Sequence, residues 1–255
     1  MADKLTPEKI EEAARHYENI TSGKTPIIEK DQGLLKEQPI LDSQAQPIKD
    51  MHEYLKKKDP NTYPLIPPTD PRLLMRIAPY TDDMLKEFKI EDRKDLSKKM
   101  YNSMVKYGGI GLSCNQVGLP FRMFVMGGHP QIEDGKVRNC FNPLINDVSP
   151  ETVLMKEGCL SYPFLFLSIK RPKWVNVKYT DENGETIDEY LHGMSARIFQ
   201  HENEHMNGYV FTDLVSKMKL ERGKKAQSKL IKQTIRAQQQ RLRHEVATKD
   251  ENISE

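Results

Sequence analysis

The sequence predicts an α+β fold in which antiparallel sheets pack around a central helix that carries an H-E-x-x-H motif, with a basic C-terminal helix after it. Short apolar runs between about residues 121 and 190 have the length of strands and are separated by turn residues. A single helical pattern from about Met194 to Met206 then contains the stretch "HENEH". Because the strands precede this helix and do not alternate with helices, the pattern is typical of an α+β domain.

The length of 255 residues indicates one domain with tails, or at most two small domains. Charged residues make up 30% of the chain and hydrophobic residues 37%, which is more polar than most single domains and points to solvated tails. We therefore expect a partly ordered N-terminal extension over residues 1–63, a main domain over 64–218 and a basic helix and tail over 219–255. Within the extension, Pro7 to Asn19 is the one plausible helix.

Two further features bear on the cellular compartment. No stretch approaches the roughly 20 apolar residues of a membrane span, and the amino terminus, MADKLTPEKIEEAAR, lacks the apolar core of a signal peptide. The three cysteines, at positions 114, 140 and 159, are odd in number and irregularly spaced, which argues against a secreted disulfide framework. We expect a cytoplasmic protein with no membrane partner.

The regular elements follow from local patterns. Leu96, Met100 and Met104 recur every four residues, which predicts a core helix that ends at Gly108-Gly109. The run Phe164–Leu167 is more typical of a core strand than of the rim of a peptide-binding cleft. The predicted strands are Phe121–Met126, Cys140–Ile145, Leu165–Ile169, Trp174–Tyr179 and, after a turn at Asp181–Gly184, Glu185–Tyr190.

The last segment, from Leu220 to about Val246, is predicted to be a basic helix with a thin apolar stripe. From Lys219 to Arg243 there are nine basic residues and one acidic residue. Such a run is either a solvated helix face or a surface for a polyanion such as ribosomal RNA. The one-sided charge favours binding, because a helix that is merely soluble normally mixes both signs.

The stretch "QHENEH", from Gln200 to His205, is the strongest chemical signal. Positions i and i+4 lie on one helix face, so His201 and His205 can bind one metal ion, and Glu202 can act as a general base toward water. The alternative is two solvated histidines on an ordinary helix. Ile198 lies three residues before His201 on the same face, which indicates that this face points into the core.

A third metal ligand is needed. The metalloprotease continuation of the motif would place a glycine at 208, which is met, and a histidine at 211, where this chain has Phe211. Cys140 lies in an apolar run, where a cysteine usually behaves as a small hydrophobe. Spacing does not choose between Cys114 and Cys159, although the turn "EGCLSYP" favours Cys159. One cysteine and two histidines leave a tetrahedral position for water, as in catalytic zinc sites.

Three segments in order, "GIGLSCNQ" at 109–116, "EGCLSYP" at 157–163 and "QHENEHMNG" at 200–208, closely resemble the three motifs of peptide deformylases. These metallohydrolases remove the formyl group from the initiator methionine of nascent polypeptides. The resemblance covers roughly Pro64 to Ser216. It implies one divalent metal ion, most often Fe(II) in this family, with Zn(II) or Ni(II) able to occupy the same ligands.

The resemblance also implies a role for each matching residue. Glu157 and Arg171 would form a supporting ion pair behind the metal turn. The expected metal ligands are Cys159, His201 and His205, the catalytic carboxylate is Glu202, and the donors to the formyl oxygen are the Gln116 amide and the Leu160 backbone N–H. We expect substrate contacts from Gly109, Ile110, Gly111, Met155 and Ile198, where the apolar side chains line the methionine pocket.

Two departures from the family pattern are visible. Ser113-Cys114 stands where two alanines are usual, and Glu204-His205-Met206 replaces Asp-His-Leu. Neither change removes a ligand, but Glu204 is expected to alter the surroundings of His201. Related enzymes are thought to dock on the ribosome through a C-terminal helix, which makes the ribosome an expected partner besides the formylmethionyl peptide.

Two rival functions stay open on sequence alone. A zinc endopeptidase shares the pentapeptide, but no recognised spacing supplies its third ligand. A non-catalytic ribosome-binding or RNA-binding protein would explain the basic tail, but it gives no reason for Gln116, Cys159 and Glu202.

Overall fold

The computed structural model describes residues 40–41 and 60–251. The predicted helix from Pro7 to Asn19 and most of the predicted extension lie outside these residues. The described part is an α+β fold with antiparallel sheets and four α-helices, as the sequence predicts. The helices are α1 (Asp83–Glu87), α2 (Arg93–Lys106), α3 (Gly193–Met206) and α4 (Lys217–Glu251).

Nine strands are present in the described residues. They are β1 (Ile40–Leu41), β2 (Arg76–Ile77), β3 (Gly111–Ser113), β4 (Met123–Gly127), β5 (Val137–Val148), β6 (Thr152–Cys159), β7 (Tyr162–Pro172), β8 (Trp174–Thr180) and β9 (Thr186–His192). The main sheet is antiparallel and has the order β3-β4-β5-β8-β9, while β6 and β7 form a separate antiparallel hairpin. β1 and β2 are a short parallel pair.

Helix α2 supports the main sheet from one side. It begins where the Asp92 side chain accepts a hydrogen bond from the Asp95 backbone N–H at 2.8 Å, and it ends before Gly108. Leu96, Met100 and Met104 are all buried, as their spacing predicts. Their side chains belong to the same core cluster as residues of β3 and β4.

Helix α3 is buried on every side. All residues from Ser195 to Met206 are buried, although many of them are polar or charged. On one flank, Ile198 and Phe199 pack with apolar residues of the main sheet. Because a buried polar group needs a partner, the rest of this helix has to be satisfied by hydrogen bonds or ions.

The hairpin of β6 and β7 corrects one sequence expectation. Leu165 and Leu167 are buried against Phe211, but Phe164 and Phe166 are exposed, so the run from 164 to 167 is only half core. The partner strand β6 was not predicted, since most of its residues are exposed and show no clear alternation.

Helix α4 begins against this hairpin. Leu220 packs on the cluster of Leu165 and Leu167, and a Cβ on Gly223 would lie 2.6 Å from the Leu167 Cδ2. The basic side chains between Lys219 and Arg236 are exposed. Among the described residues, no helix is both long and apolar enough to cross a membrane.

Gly208 fixes the end of α3 and provides a test of the fold. It has φ 77°, and a Cβ there would lie 2.8 Å from the Leu74 carbonyl oxygen, with backbone atoms of Met75 and Arg76 almost as close. Gly208→Ala should therefore lower the free energy of unfolding by at least about 2 kcal/mol in urea denaturation.

Gly135→Ala is the matched control. Gly135 has φ 81°, but a Cβ there would meet nothing within 4 Å, so only the left-handed backbone cost of roughly 1–2 kcal/mol applies. Equal destabilisation by the two substitutions would show that the close approach of residues 74–76 to the end of α3 does not exist.

Candidate metal centre

Cys159, His201 and His205 meet in the space between the β6–β7 hairpin and α3. Their potential ligand atoms all lie within 4.8 Å of one another. The Cys159 Sγ is 3.3 Å from the His205 Nε2, and the two imidazole rings are 5.2 Å apart. Cys159 is the last residue of β6, while both histidines project from the same face of α3. The structure thus brings the predicted set together.

The donor set suits a divalent transition metal. A thiolate and two imidazole nitrogens are ligands of Zn(II), Fe(II) and related ions. His201 Nδ1 is held 3.2 Å from a Glu157 carboxylate oxygen, which leaves its Nε2 for the cluster. Burial lowers the pKa of His205 well below its usual value, so this imidazole is neutral and able to bind a metal.

Cys114 and Cys140 stand apart from this group. Both are buried, and burial raises the pKa of each thiol well above its usual value. Cys114 Sγ lies 3.7 Å from the Met123 Sδ, in the core beneath α2. Within the described residues, the geometry therefore favours Cys159 over Cys114 as the third donor.

Glu202 follows His201 on α3 and is buried beside β3. Its Oε2 accepts a hydrogen bond of 2.5 Å from the Ser113 hydroxyl. Burial raises the pKa of Glu202, which makes this carboxylate a better proton acceptor near neutral pH. Gly111 lies against the same carboxylate. A Cβ added to this glycine would lie 2.8 Å from the Ile198 Cγ2, so a side chain there would displace both Ile198 and Glu202.

The amide of Gln116 is oriented by two hydrogen bonds. Its Oε1 accepts from the Ser113 backbone N–H at 2.9 Å, and its Nε2 donates to the Ser161 hydroxyl at 3.0 Å. The same Nε2 lies 3.4 Å from the Cys159 Sγ. The amide nitrogen of Gln116 is therefore held beside the metal cluster, between Cys159 and Ser161 of the turn that follows it.

The predicted substrate residues are placed as follows. Ile110 and Ile198 pack in the same apolar cluster, and Gly111 lies directly above Ile198. Gly109 packs under Leu160, whose Cδ1 is 2.6 Å from the position of a Cβ on that glycine. Met155 is half-buried on β6, where it pairs with Ile169 of β7.

An ion network lies behind the metal cluster. Glu157 forms two hydrogen bonds with Arg171, of 2.7 and 2.9 Å, and a third of 2.6 Å with Arg197. Arg171 also pairs with Glu204 through two further hydrogen bonds. Burial raises the pKa of Glu157, but His201 and Arg171 outweigh it and hold this pKa well below the usual range. The carboxylate that orients His201 is therefore ionised.

Comparison with known proteins identifies the family. The family model described as "Polypeptide deformylase" matches residues 65–221. The chain belongs to the polypeptide deformylase family. A peptide deformylase from Thermotoga maritima is 40% identical over 150 residues, covering 59% of this chain and 85% of the relative. One from Maricaulis maris is 36% identical over 132 residues, covering 52% and 76% of the two chains.

Solved deformylase structures share the fold. The crystal structure of the Thermotoga maritima enzyme has a TM-score of 0.53 and 37% identity, covering 61% of this chain and 98% of its own. A Synechococcus elongatus deformylase in complex with actinonin has a TM-score of 0.57 and 30% identity, covering 66% and 87%.

The sequence did not predict one member of the ion network. Arg197 was not predicted, although it precedes His201 by four residues and so lies on the ligand-bearing face. Glu204 was expected to alter the surroundings of His201, and it lies in the network that does so: it pairs with Arg171, whose other partner, Glu157, contacts His201. The helical spacing of Arg197, His201 and Glu204 was the available signal.

Arg171 is predicted to be the least replaceable member of this network. Arg171→Met leaves the carboxylates of Glu157 and Glu204 without this buried partner, so the free energy of unfolding should fall by roughly 3–5 kcal/mol. Lys173→Met is the control, because its ion pair with Glu151 is exposed and should contribute less than about 1 kcal/mol. Similar denaturation midpoints for the two variants would contradict the assignment.

Proposed function

We propose that this chain is a metal-dependent hydrolase that removes the formyl group from the N-terminal methionine of nascent polypeptides. The observation that carries the proposal is the convergence of Cys159, His201 and His205, with the Glu202 carboxylate next to this group. Membership of the deformylase family supports the choice of a formamide over other carbonyl substrates.

Cys159, His201 and His205 would hold the metal ion, and Fe(II) is our choice for the native ion, with Zn(II) or Ni(II) able to occupy the same donors. When bound, such an ion supplies Lewis acidity that makes water a nucleophile at neutral pH and polarises the formyl oxygen. Glu157, Arg171 and Arg197 would act indirectly, by fixing the orientation of His201.

Glu202 is the proposed general base. Its Oε2 is held by the Ser113 hydroxyl, which leaves the other carboxylate oxygen to take a proton from the attacking water. The raised pKa of Glu202, caused mainly by burial, favours that transfer. The same carboxyl group then returns the proton to the leaving amine of methionine. Ser113, which occupies a position where the family usually has alanine, is assigned to hold this carboxylate.

The proposed oxyanion donors are the Gln116 amide and the Leu160 backbone N–H. The Gln116 amide cannot easily rotate, because its oxygen is bound to the Ser113 N–H and its nitrogen to the Ser161 hydroxyl. A donor fixed before the reaction stabilises developing negative charge without reorganisation. Leu160 follows Cys159 directly, so its N–H belongs to the same turn.

The methionine side chain of the substrate is assigned to the apolar surface near β3 and α3. Ile110 and Ile198 supply this surface, and Met155 is our third candidate on β6. Gly109 and Gly111 are assigned to contact the peptide through their backbones, since a side chain on either would collide with Leu160 or Glu202.

The first test separates the proposed ligand from the proposed base. The wild-type chain, purified without oxygen, should release formate from formyl-Met-Ala-Ser, should contain about one metal ion per chain, and should not cleave casein. Cys159→Ala should lose the metal. Glu202→Gln should keep it but lose turnover by roughly 10²–10⁴-fold, since Glu202 moves protons without coordinating. Metal content is measured by atomic absorption.

Cys114→Ala is the matched control for the thiol and should keep both metal and turnover, because Cys114 lies in the core. Full metal occupancy in Cys159→Ala would contradict the ligand set. Casein cleavage without formate release would instead favour an endopeptidase.

We further propose that the C-terminal helix docks this enzyme on the ribosome in the cytoplasm, with residues 64–218 as the catalytic domain and 219–255 as the docking segment. Between Lys219 and Arg236, α4 carries seven basic residues and one acidic residue, Glu221. The side chains of these basic residues are exposed. An exposed helix whose charges are almost all positive attracts a polyanion. Ribosomal RNA is the polyanion nearest to a nascent chain.

The docking test requires a cut that spares the contacts of α4 with β7. A cut at Ser216 would uncover Leu165 and Leu167, so the cut is placed after Ser228, beyond Gly223 and Gln227. This truncation should leave turnover of formyl-Met-Ala-Ser within about two-fold, while ribosome co-sedimentation falls at least about ten-fold at low salt.

Full-length binding should also weaken steeply as salt is added, because each neutralised phosphate releases a counterion. Replacing Lys136, an exposed lysine outside α4, with Gln is the charge control and should not change co-sedimentation. Undiminished co-sedimentation of the truncated chain would contradict docking through α4.

A further inference from the structure

The β6–β7 hairpin contains a three-residue bulge next to the metal cluster. Gly158 pairs with Phe166 and Cys159 pairs with Tyr162, so three residues of β7, Pro163–Leu165, have no partner on β6. The bulge turns the side chain of Leu165 into the core, while Phe164 and Phe166 are 41% and 47% exposed. Two aromatic rings thus stand in solvent within a few residues of Cys159.

The bulge is held in an unfavourable conformation. Phe164 has φ 64°, the left-handed region that bulky residues rarely adopt. Two contacts maintain it: the Gln227 side chain of α4 donates a 2.7 Å hydrogen bond to the Pro163 carbonyl, and Leu165 packs on Gly223. Strain of this kind in an exposed aromatic residue is typical of a ligand-binding segment.

The second ring lies over the backbone of β6. Phe166 Cε1 is 2.8 Å from the position of a Cβ on Gly158, so the ring covers this glycine, and Lys156 Nζ is 5.1 Å from the ring centre. Among the described residues, β6 pairs with β7 alone, which leaves its other edge open to an extended peptide. Leu154, on the same outer face, is 57% exposed.

We propose that Phe164 and Phe166 bind apolar side chains of the nascent polypeptide just after its first methionine, so that the enzyme favours chains with apolar second or third residues. The inference rests on the proposed function, which places the formyl group at Cys159. A strand rises roughly 3.3 Å per residue, so the residues that follow methionine along the edge of β6 come within reach of the rings. Aromatic rings bind apolar partners through burial and edge-to-face contact.

The experiment compares formyl-Met-Phe-Phe with formyl-Met-Ser-Ser. Wild-type kcat/KM should favour the first peptide by roughly five-fold or more, mainly through KM. Phe166→Ser and Phe164→Gly should each lower this ratio toward one. Glycine is chosen at 164 because it keeps the left-handed backbone while removing the ring. Leu144→Ser, on an exposed leucine of β5, is the control and should keep the wild-type ratio.

Binding of the products separates this proposal from the proposed function. Met-Phe-Phe and Met-Ser-Ser are titrated into each variant by calorimetry, which needs no turnover. If the wild-type chain releases no formate but still binds Met-Phe-Phe more tightly, and Phe166→Ser loses this preference, the proposed activity is wrong but the proposed binding by the two rings stands. If both phenylalanine variants keep the wild-type preference, or if the wild type shows no preference, then Phe164 and Phe166 do not bind the residues after methionine.

Discussion

The buried guanidinium of Arg171 is the interaction on which the rest of the site depends. It joins Glu157 of β6 to Glu204 of α3, and so ties the strand that ends in Cys159 to the helix that carries both histidines. Three donors from two separate elements can face one ion only if those elements keep a fixed spacing. The cost of burying these charges is offset by multiple short hydrogen bonds, since every charged group of the network has an opposite partner.

The same network explains why a helix that is buried on all sides can be so polar. Arg197 reaches Glu157 as well as the carbonyl oxygens of Val153 and Ile169, and Asn115 donates to the His205 carbonyl at 2.8 Å. Arg197, His201 and Glu204 of α3 are therefore matched to groups of the hairpin. Charged residues in this helix serve to orient the site, while its apolar flank at Ile198 and Phe199 supplies the packing.

Much of the site was predictable because its signals are local. The spacing of His201 and His205 and the order of three motifs were sufficient to choose the chemistry, and the periodicity of α2 predicted its buried face. The strand β6 and the pairing of Glu204 with Arg171 were not predictable in the same way. β6 is largely exposed and lacks an alternating pattern, and Arg171 lies 33 residues from Glu204 along the chain. Contacts at such separations are decided by tertiary packing.

The attachment of α4 has a mechanical consequence. This helix has 35 residues and so extends about 50 Å, yet near its base Gly223 and Gln227 fasten it to the strand that borders the metal centre. Because the two contacts lie one helical turn apart, they restrict rotation of α4 about its own axis as well as its tilt. Any partner that holds the distal part of α4 therefore also sets the direction in which the metal centre faces.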